Sequence, residues 1–352
     1  MIYKFSDLFK WTSGKSISPS DGNIPLYGSN GIIGYTNSAK YENKIILGRV
    51  GAYCGSVAYC SGKFNATDNT LITSCVENRI LTLYAYYLLK SFNLNNFAGG
   101  AAQPLITQSI LKRLKCDVPS LSQQHRIASI LSTYDSLIEN NTKRIRLLEK
   151  MAENLYKEWF VRFRFPGHEN VEMEKGLPKG WSRGSLSEVC EFKRGKNITS
   201  SEMIEGLVPV ISAGLEPSGF HNEANVKGVS VTMSSSGANA GYIAIHYSCI
   251  WAADCSYIED STTPYIYYVY ELLNNIRGVI SNFQRGAAQP HVYPKDINRI
   301  KMIIPSEDLR CLANERLSVI HMQIHNFEQQ NTLLARQRDL LLPRLMSGKL
   351  EV

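Results

Sequence analysis

The chain carries nearly the same text twice. Gly100-Ala-Ala-Gln-Pro104 returns as Gly286-Ala-Ala-Gln-Pro290, a displacement of 186 positions. The same displacement carries Pro119-Ser120 onto Pro305-Ser306, Asp68 onto Asp254, and Gly51 and Gly55 onto Gly237 and Gly241. Nearer the start, Trp11-Thr-Ser-Gly-Lys15 returns as Phe192-Lys-Arg-Gly-Lys196 at a displacement of 181, so the second copy holds a short early insertion. Ordered recurrence along most of a chain constrains the fold more than composition does. Each half must be a structural unit of its own, and two similar units at a fixed separation imply two similar tasks.

A length of 352 residues allows more than one hydrophobic core. A hydrophobic content of 44% and a charged content of 20% are those of an ordinary globular protein. No apolar run approaches the ~20 residues of a membrane span, and Met1-Ile-Tyr-Lys-Phe-Ser-Asp7 lacks the apolar stretch of a secretory signal. The expected location is cytoplasmic, with no membrane partner. Eight cysteines without a Cys-x-x-Cys pair point to reduced thiols rather than a zinc site. The net charge of +7 permits a polyanionic partner without requiring one.

Each repeat has two parts. The first parts, residues 1–118 and 181–304, are rich in glycine, serine, asparagine and tyrosine. Short apolar runs such as Lys44–Gly48, Ser56–Tyr59 and Gly228–Thr232 predict strands between turns. One helix is expected near Leu81–Ser91 and its counterpart near Pro264–Asn275. These are mixed α/β domains.

The second parts, residues 119–165 and 305–352, predict two long helices, with residues 166–180 as an exposed linker between the first helix and the second domain. Ser120 and Gln123 fit a capping box, and Ser306 precedes the acidic pair Glu307-Asp308. An apolar seam alternates four and three residues from Ile127 through Leu131, Tyr134, Ile138, Asn141, Ile145, Leu148, Ala152 and Leu155 to Trp159. The displacement of 186 carries it onto a seam from Ala313 through Leu317 and Asn331 to Arg338, Leu341 and Leu345. This is a coiled-coil period in both copies. In an antiparallel pairing about a two-fold, facing residues have numbers that add to 472, and Asn141 faces Asn331. Each amide then satisfies the other, where an unpaired buried amide would cost about 1–3 kcal/mol. Arg338 is expected over Tyr134, the first helix is expected to end near Phe165, and Pro343 is expected to end or kink the second helix.

Several chemistries are missing. A base methyltransferase needs an Asn/Asp-Pro-Pro-aromatic loop, and no Pro-Pro pair occurs. Gly14-Lys15-Ser16 has the tail of a phosphate-binding loop, but Phe9 stands where its first glycine belongs. Ser234-Ser-Ser-Gly237 is not a nucleophile elbow. His321 and His325 have a helical metal spacing but read better as solvated or interface residues. No active site assembles, so the chain is expected to be non-catalytic and to bind no cofactor.

What remains is recognition chemistry placed twice. The first domain offers Lys15, Tyr27, Asn30, Arg49, Lys63 and Gln103. The second offers Lys193, Arg194, Lys196, Asn239, Arg285, Gln289 and His291. Arginine and lysine suit phosphates and guanine edges, and amides pair bidentately with adenine. The amides of Gln103 and Gln289 could equally fix a glycine turn.

With these features the chain resembles a specificity subunit of a type I restriction-modification system. The resemblance rests on Leu155-Tyr-Lys-Glu-Trp-Phe-Val161 ahead of Leu177-Pro-Lys-Gly-Trp181, on the two Gly-Ala-Ala-Gln-Pro stretches leading to Pro119 and Pro305, and on the ending Arg338-Asp-Leu-Leu-Leu-Pro-Arg-Leu-Met-Ser-Gly348. It implies two target-recognition domains on double-stranded DNA, each reading half of a bipartite site, and two helices packed as an antiparallel coiled coil that sets the gap. It also implies modification (methyltransferase) subunits, two of them, docked on the helices, with restriction subunits joining them. S-adenosylmethionine, ATP and Mg would then belong to those partners. A departure is that no copy of Leu-Pro-Lys-Gly-Trp precedes the first domain.

A seam from 127 to 159 spans about 50 Å at ~1.5 Å per residue, more than one ~34 Å turn of DNA. The first domain has Arg49-Val-Gly-Ala-Tyr-Cys-Gly55 where the second has Ser235-Ser-Gly-Ala-Asn-Ala-Gly241, which predicts unlike half-sites. The competing readings are an enzyme in its own right, an orphan bipartite DNA-binding regulator, and a coiled-coil interaction scaffold.

Overall fold

The computed structural model describes residues 1–100, 104–284 and 290–352. The chain forms two compact units, Met1–Asn140 with Gln330–Val352, and Asn141–Gln329. Each unit therefore takes one α/β domain together with part of each long helix.

In the first unit β1 (Ile2–Lys4) leads through α1 (Phe5–Leu8) into β2 (Phe9–Ser13), β3 (Ile24–Gly28), β4 (Gly31–Thr36), β5 (Tyr41–Gly48), β6 (Val57–Ala66) and β7 (Thr70–Cys75). Then come α2 (Thr82–Ser91), α3 (Gln108–Arg113), β8 (Lys115–Asp117) and the long α4 (Leu121–Tyr156). Strands β2-β7-β5-β6-β3-β4 form one sheet, and β1 pairs with β8. The apolar side of this sheet packs on α2 through Ile45, Leu47 and Leu71 against Tyr84, Leu88 and Leu89, in one core with Ile127 and Leu131 of α4.

The second unit repeats the plan. It contains β9 (Met173–Glu174), β10 (Leu177–Pro178), β11 (Ser182–Ser185), β12 (Lys193–Arg194), β13 (Val208–Ile211), β14 (Gly219–His221), β15 (Ser230–Ser234), β16 (Ile243–His246), β17 (Trp251–Ala252) and β18 (Cys255–Glu259). Helices α5 (Ile266–Asn275), α6 (Arg277–Ser281) and α7 (Pro294–Ile297), strand β19 (Lys301–Ile304) and the long α8 (Glu307–Met346) follow. Strands β12-β18-β15-β16 match β2-β7-β5-β6, and β11 pairs with β19 as β1 does with β8. The long β6 of the first unit serves both β5 and, in parallel, β3. Its counterpart is broken into β16 and β17, which splits the second unit's sheet in two.

The long helices run antiparallel, because the start of α4 and the end of α8 share one core while the end of α4 and the start of α8 share the other. Ile127 and Leu131 lie in the first unit's core with Leu342 and Leu345. Ala152, Tyr156 and Trp159 lie in the second unit's core with Leu309, Ala313 and Leu317. The capping box forms as expected: Ser120 N–H donates to Gln123 Oε1 at 3.2 Å, and Gln123 N–H to Ser120 Oγ at 3.3 Å. Asn141 is buried in the second unit and Asn331 is half-buried in the first.

Three local expectations change. The helix expected to reach Phe165 is α-helical only to Tyr156 and closes with a π-helical turn over Lys157–Val161. That turn delivers Phe160 and the following Phe163 and Phe165 onto the Trp181 ring, at centroid distances of 6.1, 5.3 and 5.5 Å. Helix α8 runs through Pro343 to Met346. A proline so near the end removes one bond from the last turns only, and Leu345 is buried in the same core as Ile127. Arg338 pairs with the carboxylates of Asp135 and Asp339 instead of covering Tyr134. A carboxylate one position along gives charge-assisted bonds that a ring cannot match. Of the two places expected for His321, solvent or an interface, it takes the interface. It is 3% exposed, with Nε2 3.0 Å from Glu271 Oε1 and Nδ1 3.2 Å from the Tyr247 hydroxyl.

All eight cysteines are free. Burial pushes the thiols of Cys75 and Cys116 up to about 11 and those of Cys190 and Cys255 up to about 12, which leaves them protonated and inert. Among the described residues no group of three or more metal-binding side chains occurs, and no helix is long and apolar enough to cross a membrane.

Candidate nucleic-acid interface

The two α/β domains hold the same loop with the same hydrogen bonds. Gly51 N–H donates to the Pro104 carbonyl at 3.0 Å, and Gly237 N–H to the Pro290 carbonyl at 3.0 Å. Gly55 N–H donates to Gly48 at 2.8 Å, and Gly241 N–H to Ser234 at 2.8 Å. Ile106 N–H reaches the Arg49 carbonyl at 2.9 Å as Val292 N–H reaches that of Ser235 at 3.0 Å. Gly51 and Gly237 share a φ of 73°, and Gly55 and Gly241 have φ of 89° and 82°. These left-handed positions explain why glycine recurs there.

Around this frame the sequence-nominated residues divide. In the first domain Lys15 follows β2, its N–H held by the Ala66 carbonyl at 3.2 Å, and its side chain is exposed. Arg49 leaves the end of β5 half-buried and its Nη1 lies 3.5 Å from Ser13 Oγ. Asn30 is exposed in the β3–β4 turn, which Ser29 ties to the loop by bonds with Asn69 and Ser56, each 2.7 Å. Tyr27 is used for packing: its ring meets Phe64 edge-on at 5.6 Å, and burial raises its hydroxyl pKa above the usual value. Lys63 sits within β6 opposite Glu42, outside the loop cluster.

In the second domain Arg194 Nη2 lies 2.6 Å from Asp254 Oδ1, and the other oxygen of Asp254 accepts the Ser236 hydroxyl. Lys196 places its ammonium 5.8 Å from the Trp251 ring centre. Asn239 closes the turn Gly237–Asn239, and His291 bridges to Ser236 while stacking on Tyr293 at 6.1 Å. Lys193 turns to Glu259, 3.9 Å away. Gln103, Arg285 and Gln289 lie outside the described residues.

Sequence displacement matched Asp68 to Asp254, and the strand ladders correct this. Gly48 pairs with Thr70 as Ser234 pairs with Cys255. The residue before each is Asn69 or Asp254, and the N–H of Arg49 and of Ser235 points to the carbonyls of Asn69 and Asp254. Asp68 is thus one extra residue in the first domain's turn. Sequence reasoning therefore overlooked Asp254 as part of the site, along with Ser13, Asn69 and Ser236. The only signal was the offset, which changes by one inside a run too short to align by eye.

The arrangement offers exposed cations and amides on a shared backbone frame. This loop frame stands once on each of two similar domains joined by long helices. The chain matches the family described as Type I restriction modification DNA specificity domain over residues 1–150 and again over 178–329, and it belongs to that family. It is similar to the Type I restriction enzyme MjaIX specificity subunit of Methanocaldococcus jannaschii, 28% identical over 309 residues, covering 78% of this chain and 71% of that one. It is also similar to the Type I restriction enzyme EcoprrI specificity subunit of Escherichia coli, 35% identical over 131 residues, covering 37% of this chain and 32% of that one. The crystal structure of a type-I restriction-modification S subunit from M. genitalium shares the fold, with a TM-score of 0.69 at 22% identity, covering 98% of this chain and 96% of that one.

Proposed function

We propose that this chain is the non-catalytic DNA specificity subunit of a type I restriction-modification complex, acting in the cytoplasm. Each α/β domain reads one half of an asymmetric bipartite site on double-stranded DNA, and α4 with α8 sets the unread gap. Two modification subunits and the restriction subunits assemble on it, and S-adenosylmethionine, ATP and Mg act on those partners. The observation that carries this reading is the shared backbone frame with unlike side chains: Arg49 and Ser235 occupy one frame position, Ser13 and Arg194 another. Equal frames suit one kind of ligand, and unequal side chains suit unequal base pairs.

Methylome sequencing of cells with and without the chain tests this. One gapped, asymmetric adenine-methylation motif should be gained with it, and adding a heptad to both helices should lengthen the gap while leaving both half-sites alone. A continuous palindrome, or no change, rejects the reading. Failure of modification subunits to co-purify would favour an orphan regulator.

A further inference from the structure

The two domains each present one arginine at the same end of the sheet, but from opposite strands. The ladders define the frame. Ser13 on β2 pairs with Leu71, and Arg194 on β12 pairs with Ser256, the residue equivalent to Leu71. Arg49 and Ser235 are equivalent because their carbonyls accept from Ile106 N–H and Val292 N–H, each just after a Gly-Ala-Ala-Gln-Pro stretch. In both sheets the strand between these two positions is the one that begins just after Asn69 or Asp254. Three positions therefore change together. The first domain has Ser13, Arg49 and Asn69, and the second has Arg194, Ser235 and Asp254. The carboxylate appears only where an arginine stands on the outer strand, within its reach.

That carboxylate is fully engaged. One oxygen of Asp254 holds Arg194 Nη2 at 2.6 Å, and the other takes the Ser236 hydroxyl from the loop. Asp254 is 29% exposed and Arg194 42%, so the pair sits at the surface with the arginine outermost. Its contacts use Nη2 alone, which leaves the other guanidinium N–H groups free to donate. An exposed ion pair contributes little to stability, so packing alone does not account for it. Nor does it suit a phosphate contact, because Asp254 cancels the arginine charge that a phosphate would seek. A neutral pair of acceptors is the better match. In DNA that is the O6/N7 edge of guanine, which takes a bidentate arginine, and such readout needs the side chain held in one geometry.

We propose that Asp254 is a positioning residue that fixes Arg194 on a guanine in the second half-site, while Arg49, held from the other strand and without a carboxylate, serves the first. The inference rests on the DNA-reading function proposed above and adds which residues set specificity. It makes Asp254 a determinant of base preference rather than of affinity.

The test uses the chain in complex with its modification subunits and duplexes in which the methylated motif is changed one base pair at a time. Asp254→Asn should relax preference at a single G·C pair of the second half-site by about tenfold or more. The first half-site and the melting temperature should be unchanged, and the affinity for unrelated DNA should not fall, since Asp254→Asn uncovers the Arg194 charge. Arg194→Lys should relax the same position, and Asp254→Glu should restore part of the preference. Uniform weakening across all duplexes, a change in the first half-site, or unaltered preference throughout would overturn the assignment. If the wild-type complex shows no gapped motif, the DNA-reading function itself fails, which is a distinct result from an unresponsive Asp254.

Discussion

His321 on α8 lies 3.0 Å from Glu271 on α5, the two side chains 3% and 7% exposed. In the first unit the repeat-related residues are Asp135 on α4 and Tyr87 on α2, joined by a hydrogen bond of 2.5 Å. The same latch between the domain helix and the long helix is thus built from different chemistry in each copy. Tyr84 and Tyr268, one turn earlier on those domain helices, are both fully buried, which supports the match. Glu271→Ala should destabilise the second unit by roughly 3 kcal/mol, since it strands a buried polar partner. Tyr87→Phe should cost less, about 1.5 kcal/mol, because Arg338 still pairs with Asp135. Urea unfolding checks both, and in the second unit a Glu271→Leu, His321→Leu double variant should lose less than the sum of the two singles. Strict additivity would speak against the latch.

His246 gives a pH dependence. Its Nε2 lies 2.8 Å from Thr232 Oγ1 on the neighbouring strand, and burial lowers its pKa from 6.5 to about 4. At neutral pH the ring is uncharged in both folded and unfolded chains. As pH falls below 6.5 the unfolded chain binds a proton that the folded one refuses until about pH 4. Stability therefore drops across that window, by up to about 3 kcal/mol for this group. His246→Gln should flatten the fall in melting temperature between pH 7 and pH 4, relative to wild type. An unchanged pH profile would show that His246 does not contribute.

The loop glycines should differ in sensitivity. A Cβ on Gly51 meets open space, so Gly51→Ala costs mainly its left-handed backbone, about 1 kcal/mol. A Cβ on Gly55 would lie 2.3 Å from the Asn95 backbone nitrogen, and the backbone must shift. Gly55→Ala should cost about 3 kcal/mol and impair reading of the first half-site only. Thermal melts and duplex binding by half-site separate the two variants. Equal loss from both would mean the backbone conformation, not the clash, dominates.

Much of this is legible in the sequence. The Gly51/Gly55 and Gly237/Gly241 pairs recur because a left-handed turn tolerates little else, and the 3.5-residue seam names Ile127, Leu131, Ala152 and Leu317 as core because heptad spacing puts them on one helix face. The basic residues near those turns were visible too, and Arg49, Arg194, Lys196 and Asn239 do lie around the shared loop. What could not be read was which of them are held and by what. Tyr27 packs its ring edge-on against Phe64. Asp254 looked like a repeat marker and is the partner of Arg194.

The duplication, the antiparallel helix pair and the family follow from residue order alone, since these depend on periodicity and local backbone preference, which act through neighbours along the chain. Folding in three dimensions is what puts Asn69 rather than Asp68 at the place of Asp254, joins Arg338 to Asp135, and seals His321 against Glu271. Those contacts join residues dozens to hundreds of positions apart, and a single inserted residue in a turn shifts strand register by a step that composition and spacing do not record.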